Sequence, residues 1–231
     1  MDLDSRPPQP LSGNDQGVTD EHGVLHAWDE TFDAVVVGFG GAGSAAAIEA
    51  HDNGAKVLLV DRFRGGGSTK LSGGIFYAGG GTELQEKAGY NDDPENMFRY
   101  VKQEADGVVS DEVLRAFCEQ SRDNFEWLKG HGIPFVASGK AYKTSYPPDD
   151  CTLYFSGNEI CWPYNEKAEP APRGHRPLGH GLTGSVIFQG LKDAVRKRGI
   201  DVWPFSRGER LVVDADGNVI GLRIQRARFR G

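Results

Sequence analysis

Gly38, Gly40 and Gly43 stand in a Gly-Phe-Gly-Gly-Ala-Gly run directly behind the apolar stretch Phe32-Asp33-Ala34-Val35-Val36-Val37, and Asp61 closes the next apolar stretch. Residues of these types at these spacings can hold a pyrophosphate and a ribose. Gly38 lets a strand turn sharply into a helix, Gly40 leaves room for a phosphate beside the backbone, and Gly43 lets the helix lie close against the strand. Together with Gly41 and Ala42 they form a cradle at a helix N-terminus, where N–H groups and the helix dipole favour negative charge. Asp61 lies 18 residues beyond Gly43. A carboxylate there accepts hydrogen bonds from ribose hydroxyls and repels a 2′-phosphate. The chemistry is that of binding the ADP part of a dinucleotide other than NADP.

Positioning these residues requires a particular order of elements. The alanine-rich segment Ser44 to Asn53 reads as a short helix stopped by Gly54, and Lys56-Val57-Leu58-Leu59-Val60 reads as a buried parallel strand. Strand, glycine turn, helix, strand and acid place the chain in the α/β class, with a Rossmann-like, doubly wound parallel sheet. A second glycine cluster follows at Gly65-Gly66-Gly67-Ser68-Thr69-Lys70-Leu71-Ser72-Gly73-Gly74. With Gly79-Gly80-Gly81 it puts eight glycines into seventeen residues, which predicts a loop lined by backbone. Asp93 and Pro94 open a helix carrying Met97, Phe98 and Val101 on one face. A second helix runs from about Ser110 with Val113, Leu114, Phe117, Phe125 and Leu128 as its apolar stripe. Residues 134–180 are irregular and aromatic, longer than an ordinary connection and expected to be ordered near a pocket. A helix from Thr183, a strand over 200–205, and a hairpin of 211–213 with 219–224 about Asp214-Ala215-Asp216-Gly217 complete the reading, the hairpin forming an added layer. Residues 1–30, polar and proline-containing, are expected to form a mobile arm with Trp28 as a docking point; residues 31–231 form the dinucleotide-binding domain.

Composition removes several other classes of function. A net charge of −7 and a pI near 5.4 argue against general affinity for nucleic acid or anionic membranes. The basic run Arg196-Lys197-Arg198 fits a solvated helix end, and the tail Arg223, Arg226, Arg228 and Arg230 lacks interleaved aromatics beyond Phe229. No window is apolar enough to span a bilayer and the first thirty residues hold no secretory leader, so a cytoplasmic location is expected. Cys118, Cys151 and Cys161 show neither metal spacing nor a disulfide framework, and Cys118 falls on a core stripe.

The dinucleotide unit at 33–61, followed by Gly66-Gly67-Ser68-Thr69 and Ser72-Gly73-Gly74, resembles the flavoprotein subunits of fumarate reductases and succinate dehydrogenases. The runs Leu71 to Thr82 and Pro172-Arg173-Gly174-His175-Arg176 are more similar to 3-ketosteroid dehydrogenases, in particular those acting on the Δ4 bond of 5α-reduced 3-ketosteroids. The resemblance covers about Thr31 to Ile224 and implies FAD as the cofactor. It implies that Gly38, Gly40 and Gly43 face the pyrophosphate and that Asp61 holds the adenosine ribose. Gly67, Ser68 and Thr69 would serve phosphate or ribityl oxygens, and Ser72, Gly73 and Gly74 would lie beside the flavin ring. Some relatives attach FAD covalently through a histidine in this second region. No histidine occurs between His51 and His131, so a noncovalent cofactor is expected. Chains of this family continue well past position 231, and the present one is expected to be an N-terminal portion, incomplete at its C-terminus, with the family's catalytic groups beyond it.

The reaction implied is dehydrogenation next to a ketone: a base removes an activated proton while hydride leaves the neighbouring carbon for flavin N5. A second reading is a fumarate reductase-type flavoprotein acting on an unsaturated acid, for which Arg173 and Arg176 are candidate carboxylate clamps. A third is a non-catalytic ADP- or FAD-binding module. Tyr77, Tyr146, Tyr154 and His175 are the polar groups that could face a pocket. None is assigned as catalytic, and a small-molecule substrate, a steroid in the first reading, is the expected partner.

Overall fold

The computed structural model describes residues 18–19, 21–23, 25–138 and 141–227. Along the chain these form β1 (Val18–Thr19), β2 (Leu25–His26), β3 (Ala34–Val37), α1 (Gly41–Asp52), β4 (Val57–Val60), α2 (Gly67–Leu71) and β5 (Phe76–Tyr77). Then come α3 (Glu83–Lys87), α4 (Pro94–Ala105), α5 (Asp111–Gly130), β6 (Leu153–Tyr154), α6 (Tyr164–Lys167) and β7 (Gly174–His175). The chain closes through α7 (Gly184–Lys197), β8 (Asp201–Trp203), β9 (Ser206–Val213) and β10 (Val219–Arg226). It divides into two compact units, the first Met1–Gly67 with Leu191–Gly231, the second Ser68–Gly190.

In the first unit β3, β4 and β8 form a parallel sheet in that order. β4 is central and buried at every position, as expected of a run of Val and Leu with neighbours on both sides. Helix α1 begins at Gly41, three residues before the alanine-rich stretch, because the glycines of the turn themselves take up helical geometry. It ends where Asn53 and Gly54 hydrogen-bond back to Glu49 and His51. Arg198 grips Asp52 at the foot of α1 with two bonds of 2.7 and 2.6 Å. The hairpin is longer than the apolar residues suggested: β9 and β10 pair over eight residues each, with two register shifts.

Within the stretch 1–30, β1 pairs with β2, Glu21 N–H donates to Val213 O at 2.9 Å, and the Trp28 ring lies against Gly221 of the hairpin. Residues 1–17, 20 and 24 lie outside the described residues, as do Arg228, Phe229 and Arg230 of the basic tail.

The second unit holds the helical core. Asp93 caps α4 through Asn96 N–H, Pro94 occupies its first position, and Ser110 caps α5 through Val113 N–H. Met97, Phe98, Tyr100 and Val101 of α4 meet Leu114 and Cys118 of α5. On α5 the buried seam runs 114, 118, 121, 125, 128. Val113 and Phe117, expected on this stripe, are exposed: each lies one position before a seam residue, about 100° around the helix. The glycine-rich stretch is likewise more regular than the loop expected, since α2 and β5 lie within it. The segment 134–180 is organised by a small antiparallel sheet, β5-β7-β6. Tyr154 and Phe155 are buried there, whereas Tyr146 and Trp162 are 80% and 75% exposed.

Two buried polar arrangements hold this unit. Asp92 and Arg173 are both wholly buried and joined by two bonds, Nε–Oδ2 at 3.0 Å and Nη2–Oδ1 at 2.7 Å. The same carboxylate accepts Gly80 N–H, Gln85 Nε2 and Asn96 Nδ2. His175 lies against Phe125 at 4.4 Å between ring centroids. Its Nδ1 donates to Arg173 O at 3.1 Å and its Nε2 accepts from Thr82 Oγ1 at 2.9 Å. Burial pushes this imidazole down to about 4.

Replacing Asp92 by alanine removes the carboxylate that is hydrogen-bonded to Arg173 and is expected to cost about 3–5 kcal/mol in chemical unfolding, the range for one partner of a buried ion pair. A loss below 1 kcal/mol would contradict this account. The histidine makes a separate pH prediction. Its folded value lies below the ordinary 6.5, so the unfolded state takes up the proton first as pH falls. Stability is full above about pH 6.5 and declines toward pH 4, by about 1.4 kcal/mol per pH unit from this group. In melts from pH 7 to 4.5, His175→Gln is expected to flatten the acid slope relative to the parent chain.

Candidate functional site

The glycine turn of the first unit is built as its sequence demands. Gly38 has φ of +107°, outside the range open to most side chains, and its N–H bonds Val60 O at 2.8 Å. A Cβ on Gly43 would stand 1.7 Å from Gly38 O and 3.4 Å from Val36 Cγ1. The first turn of α1 therefore lies on the end of β3 with no space for a methyl group. Ser44 closes the turn from inside, its Oγ donating to Gly40 O at 2.6 Å. No side chain caps α1 at Gly40, and no acidic residue lies in its first turn. An uncapped twelve-residue helix behind a glycine turn is suited to a diphosphate.

Asp61 stands at the end of β4 with its backbone fixed by Trp203 O and Ser206 N–H at 3.1 and 2.8 Å. Its Oδ2 accepts Phe39 N–H at 2.8 Å and its Oδ1 accepts Phe63 N–H at 2.7 Å. Each oxygen retains a second lone-pair direction, so the carboxylate can serve ribose hydroxyls while bracing the turn. The bracing role was not read from sequence. Gly38, Gly40, Gly41, Ala42, Gly43 and Asp61 are thus brought together within one unit, and their geometry fits the ADP half of FAD.

Gly65, Gly66 and Gly67 of the second cluster belong to the first unit, and Ser68 to Gly74 belong to the second. Ser68 and Thr69 lie in α2 and Ser72 follows it. Ser72 Oγ donates to Thr69 O at 2.9 Å and accepts Gly74 N–H at 3.2 Å, locking the bend internally. Ser72 and Gly73 then cross the Thr183-Gly184 stretch. Gly73 O accepts Thr183 N–H and Oγ1, both at 3.1 Å, and Ser72 O accepts Gly184 N–H at 3.2 Å. A Cβ on Gly74 would stand 2.3 Å from Thr183 C. Thr183 and Gly184 escaped the sequence reading as site residues. Their only signal was a threonine-glycine pair opening a helix.

The other candidates disperse. Tyr146 faces solvent, Tyr154 is buried in β6, and His175 is consumed by Thr82 and Arg173 O. Arg173 and Arg176, considered as carboxylate clamps, are both buried. Arg173 is bound to Asp92, and Arg176 to Asp149 Oδ1 at 2.7 Å and to Gly179 O and Gly181 O. Both are structural. No cluster of three metal-ligating side chains occurs among the described residues. No helix among them is long and apolar enough to cross a membrane.

Comparison with known proteins agrees with this geometry. The chain is 42% identical over 201 residues to the 3-oxo-5-alpha-steroid 4-dehydrogenase of Comamonas testosteroni, covering 85% of this chain and 38% of that protein. It is 32% identical to the NADH:fumarate oxidoreductase of Klebsiella pneumoniae, covering 88% of this chain and 19% of the relative. The crystal structure of 3-ketosteroid-Δ4-(5α)-dehydrogenase from Rhodococcus jostii RHA1, in complex with 4-androstene-3,17-dione, superposes with a TM-score of 0.82 at 36% identity. That match covers 91% of this chain and 45% of the solved one. The chain thus spans less than half the length of these relatives. Residues 33–229 match the FAD binding domain family, and the chain belongs to that family.

Proposed function

We propose that the chain is the FAD-binding part of a dehydrogenase acting on a 3-ketosteroid or a similar ketone. The observation that carries this reading is the TM-score of 0.82 to a 3-ketosteroid dehydrogenase over 91% of the chain. The glycine turn supports a dinucleotide such as FAD, because Gly38 and Gly43 let the strand end and the helix start meet closely, the geometry that brings a pyrophosphate onto the helix N-terminus.

In this proposal residues 31–231 form the N-terminal part of a longer FAD-binding domain. Backbone N–H groups at Ala42 and Gly43 and the positive end of α1 receive the pyrophosphate, with Gly38, Gly40 and Gly41 keeping the approach clear. Asp61 accepts from the adenosine ribose. Gly67, Ser68 and Thr69 serve phosphate or ribityl oxygens, and Ser72, Gly73 and Gly74 present backbone to the flavin ring. FAD, when bound, supplies hydride-accepting chemistry at its ring. The chain's own contribution is to bind and orient it, without a covalent link. A cytoplasmic location belongs to the same reading, in keeping with three cysteines present as free thiols.

A fumarate reductase-type activity on an unsaturated acid is the second reading, favoured by the 32% identity to the Klebsiella enzyme. Neither Arg173 nor Arg176 is open to serve as its clamp, since they are committed to Asp92 and Asp149.

The absorbance spectrum of the purified chain titrated with FAD tests the cofactor assignment. Stoichiometric, dialysis-resistant flavin absorbance is expected, released completely by acid denaturation because the link is noncovalent. Gly43→Ala, whose methyl collides with Gly38 O, is expected to abolish binding. Asp61→Asn, which keeps the shape but loses the charge-assisted acceptors, is expected to weaken it about tenfold or more. A folded chain that takes up no flavin would instead support a non-catalytic remnant. In the full-length protein, bleaching of bound flavin by a 5α-reduced 3-ketosteroid, and not by succinate, is expected.

A further inference from the structure

We propose that Arg176 is a positioning residue that sets the Ser72–Gly74 bend through the loop 177–182 and Thr183; its bearing on the flavin rests on the cofactor role proposed for that bend. All of these residues lie in the second unit. Arg176 is 1% exposed, and the loop that follows it is wound about its guanidinium. Nη1 donates to Asp149 O at 3.1 Å, while Nη2 donates to Asp149 Oδ1 at 2.7 Å, Gly179 O at 3.0 Å and Gly181 O at 2.8 Å. Asp149 Oδ1 also accepts Gly181 N–H at 2.9 Å, so the ion pair holds Gly181 by both its N–H and its carbonyl. Gly181 has φ of +61°, which allows the chain to fold back there.

The loop so held reaches the bend through Thr183, which is wholly buried. A Cβ on Gly179 would stand 3.0 Å from Thr183 Cγ2, so a residue whose carbonyl Arg176 takes is packed on the threonine itself. Thr183 N–H and Oγ1 both donate to Gly73 O at 3.1 Å, and Gly184 N–H donates to Ser72 O at 3.2 Å. Three donors thus fix two successive carbonyls. In a planar trans peptide the N–H points opposite to the C=O, so drawing Ser72 O toward Gly184 turns Gly73 N–H to the other side. That amide becomes a preset donor of the kind that favours an electron-rich, reduced flavin. The bonds of Ser72 Oγ to Thr69 O and Gly74 N–H fix the shape of the bend, whereas the contacts from Thr183 and Gly184 fix its direction.

The acceptors around Arg176 are one carboxylate oxygen and three backbone carbonyls. They suit a fork of donors on two nitrogens; a lysine ammonium brings its three hydrogens on one atom and does not span the set.

Amide hydrogen exchange and the flavin midpoint potential of the FAD-loaded chain test the link, in Arg176→Lys, Asp149→Ala, Thr183→Val and Thr183→Ser. In Arg176→Lys the Thr183 and Gly184 amides are expected to exchange about tenfold faster, with those of α4 and α5 unchanged. The potential is expected to fall by about 30 mV, a tenfold shift toward oxidised flavin for a two-electron couple. Thr183→Val should lower it likewise, and Thr183→Ser should keep the parent value. Asp149→Ala changes a half-exposed side chain and carries the same expectations where Arg176→Lys does not fold. A lower melting temperature with exchange and potential unmoved would reduce Arg176 to a purely structural role and overturn the proposal, while flavin binding stands. A parent chain that takes up no flavin overturns the cofactor reading, and this role with it.

Discussion

The second unit depends on one charge pair. Asp92 and Arg173 are sealed from solvent, and bringing two such ions inside is tolerable only where the carboxylate and guanidinium meet in parallel and the remaining lone pairs are used. Here they are used by three successive elements around Asp92: the loop after β5 through Gly80, helix α3 through Gln85, and α4 through Asn96. Arg173 leads into β7, which pairs with β5, and β5 directly follows the Ser72–Gly74 bend. The bend is therefore held by a polar network rather than by an apolar core of its own. His175, neutral and fitted between Thr82 and Phe125, anchors the same strand by a second route.

The first unit solves its positioning problem by the opposite means. Its turn is held by the absence of side chains at Gly38 and Gly43, so that strand end and helix start nearly touch, and by Asp61, which binds two backbone amides. Asp61 carries a cost of its own in versatility. A carboxylate that braces two backbone amides of the turn cannot be altered without disturbing the turn itself.

Local signals explain what was legible before the structure. Capping residues and proline placed α4 and α5, the valine-leucine run placed β4, and Asp214 to Gly217 placed the hairpin turn. The glycine spacing located the strand-to-helix turn for the same reason, since Gly38 answers to a positive φ and Gly43 to the close approach of helix and strand. Long-range pairings were illegible. Thr183 meets Gly73 across 110 positions, and Arg173 meets Asp92 across 81. Basic residues in an irregular segment gave no sign that they were interior. Val113 and Phe117 were misplaced because helical spacing alone admits two adjacent stripes, and only packing against α4 decides between them.

The order of the parallel sheet bears on how the chain acquires its fold. β3 and β4 are separated by one helix and can pair early, whereas β8 meets β4 through Leu58 and Asp201, with the entire second unit lying between them in sequence. Closing so long a connection is entropically demanding and slow if the intervening residues are unfolded, and far easier once they have collapsed into a compact body. During synthesis the second unit emerges complete before β8 exists. Its own consolidation around Asp92 and Arg173 is thus placed, by chain order alone, ahead of the pairing of β8 with β4.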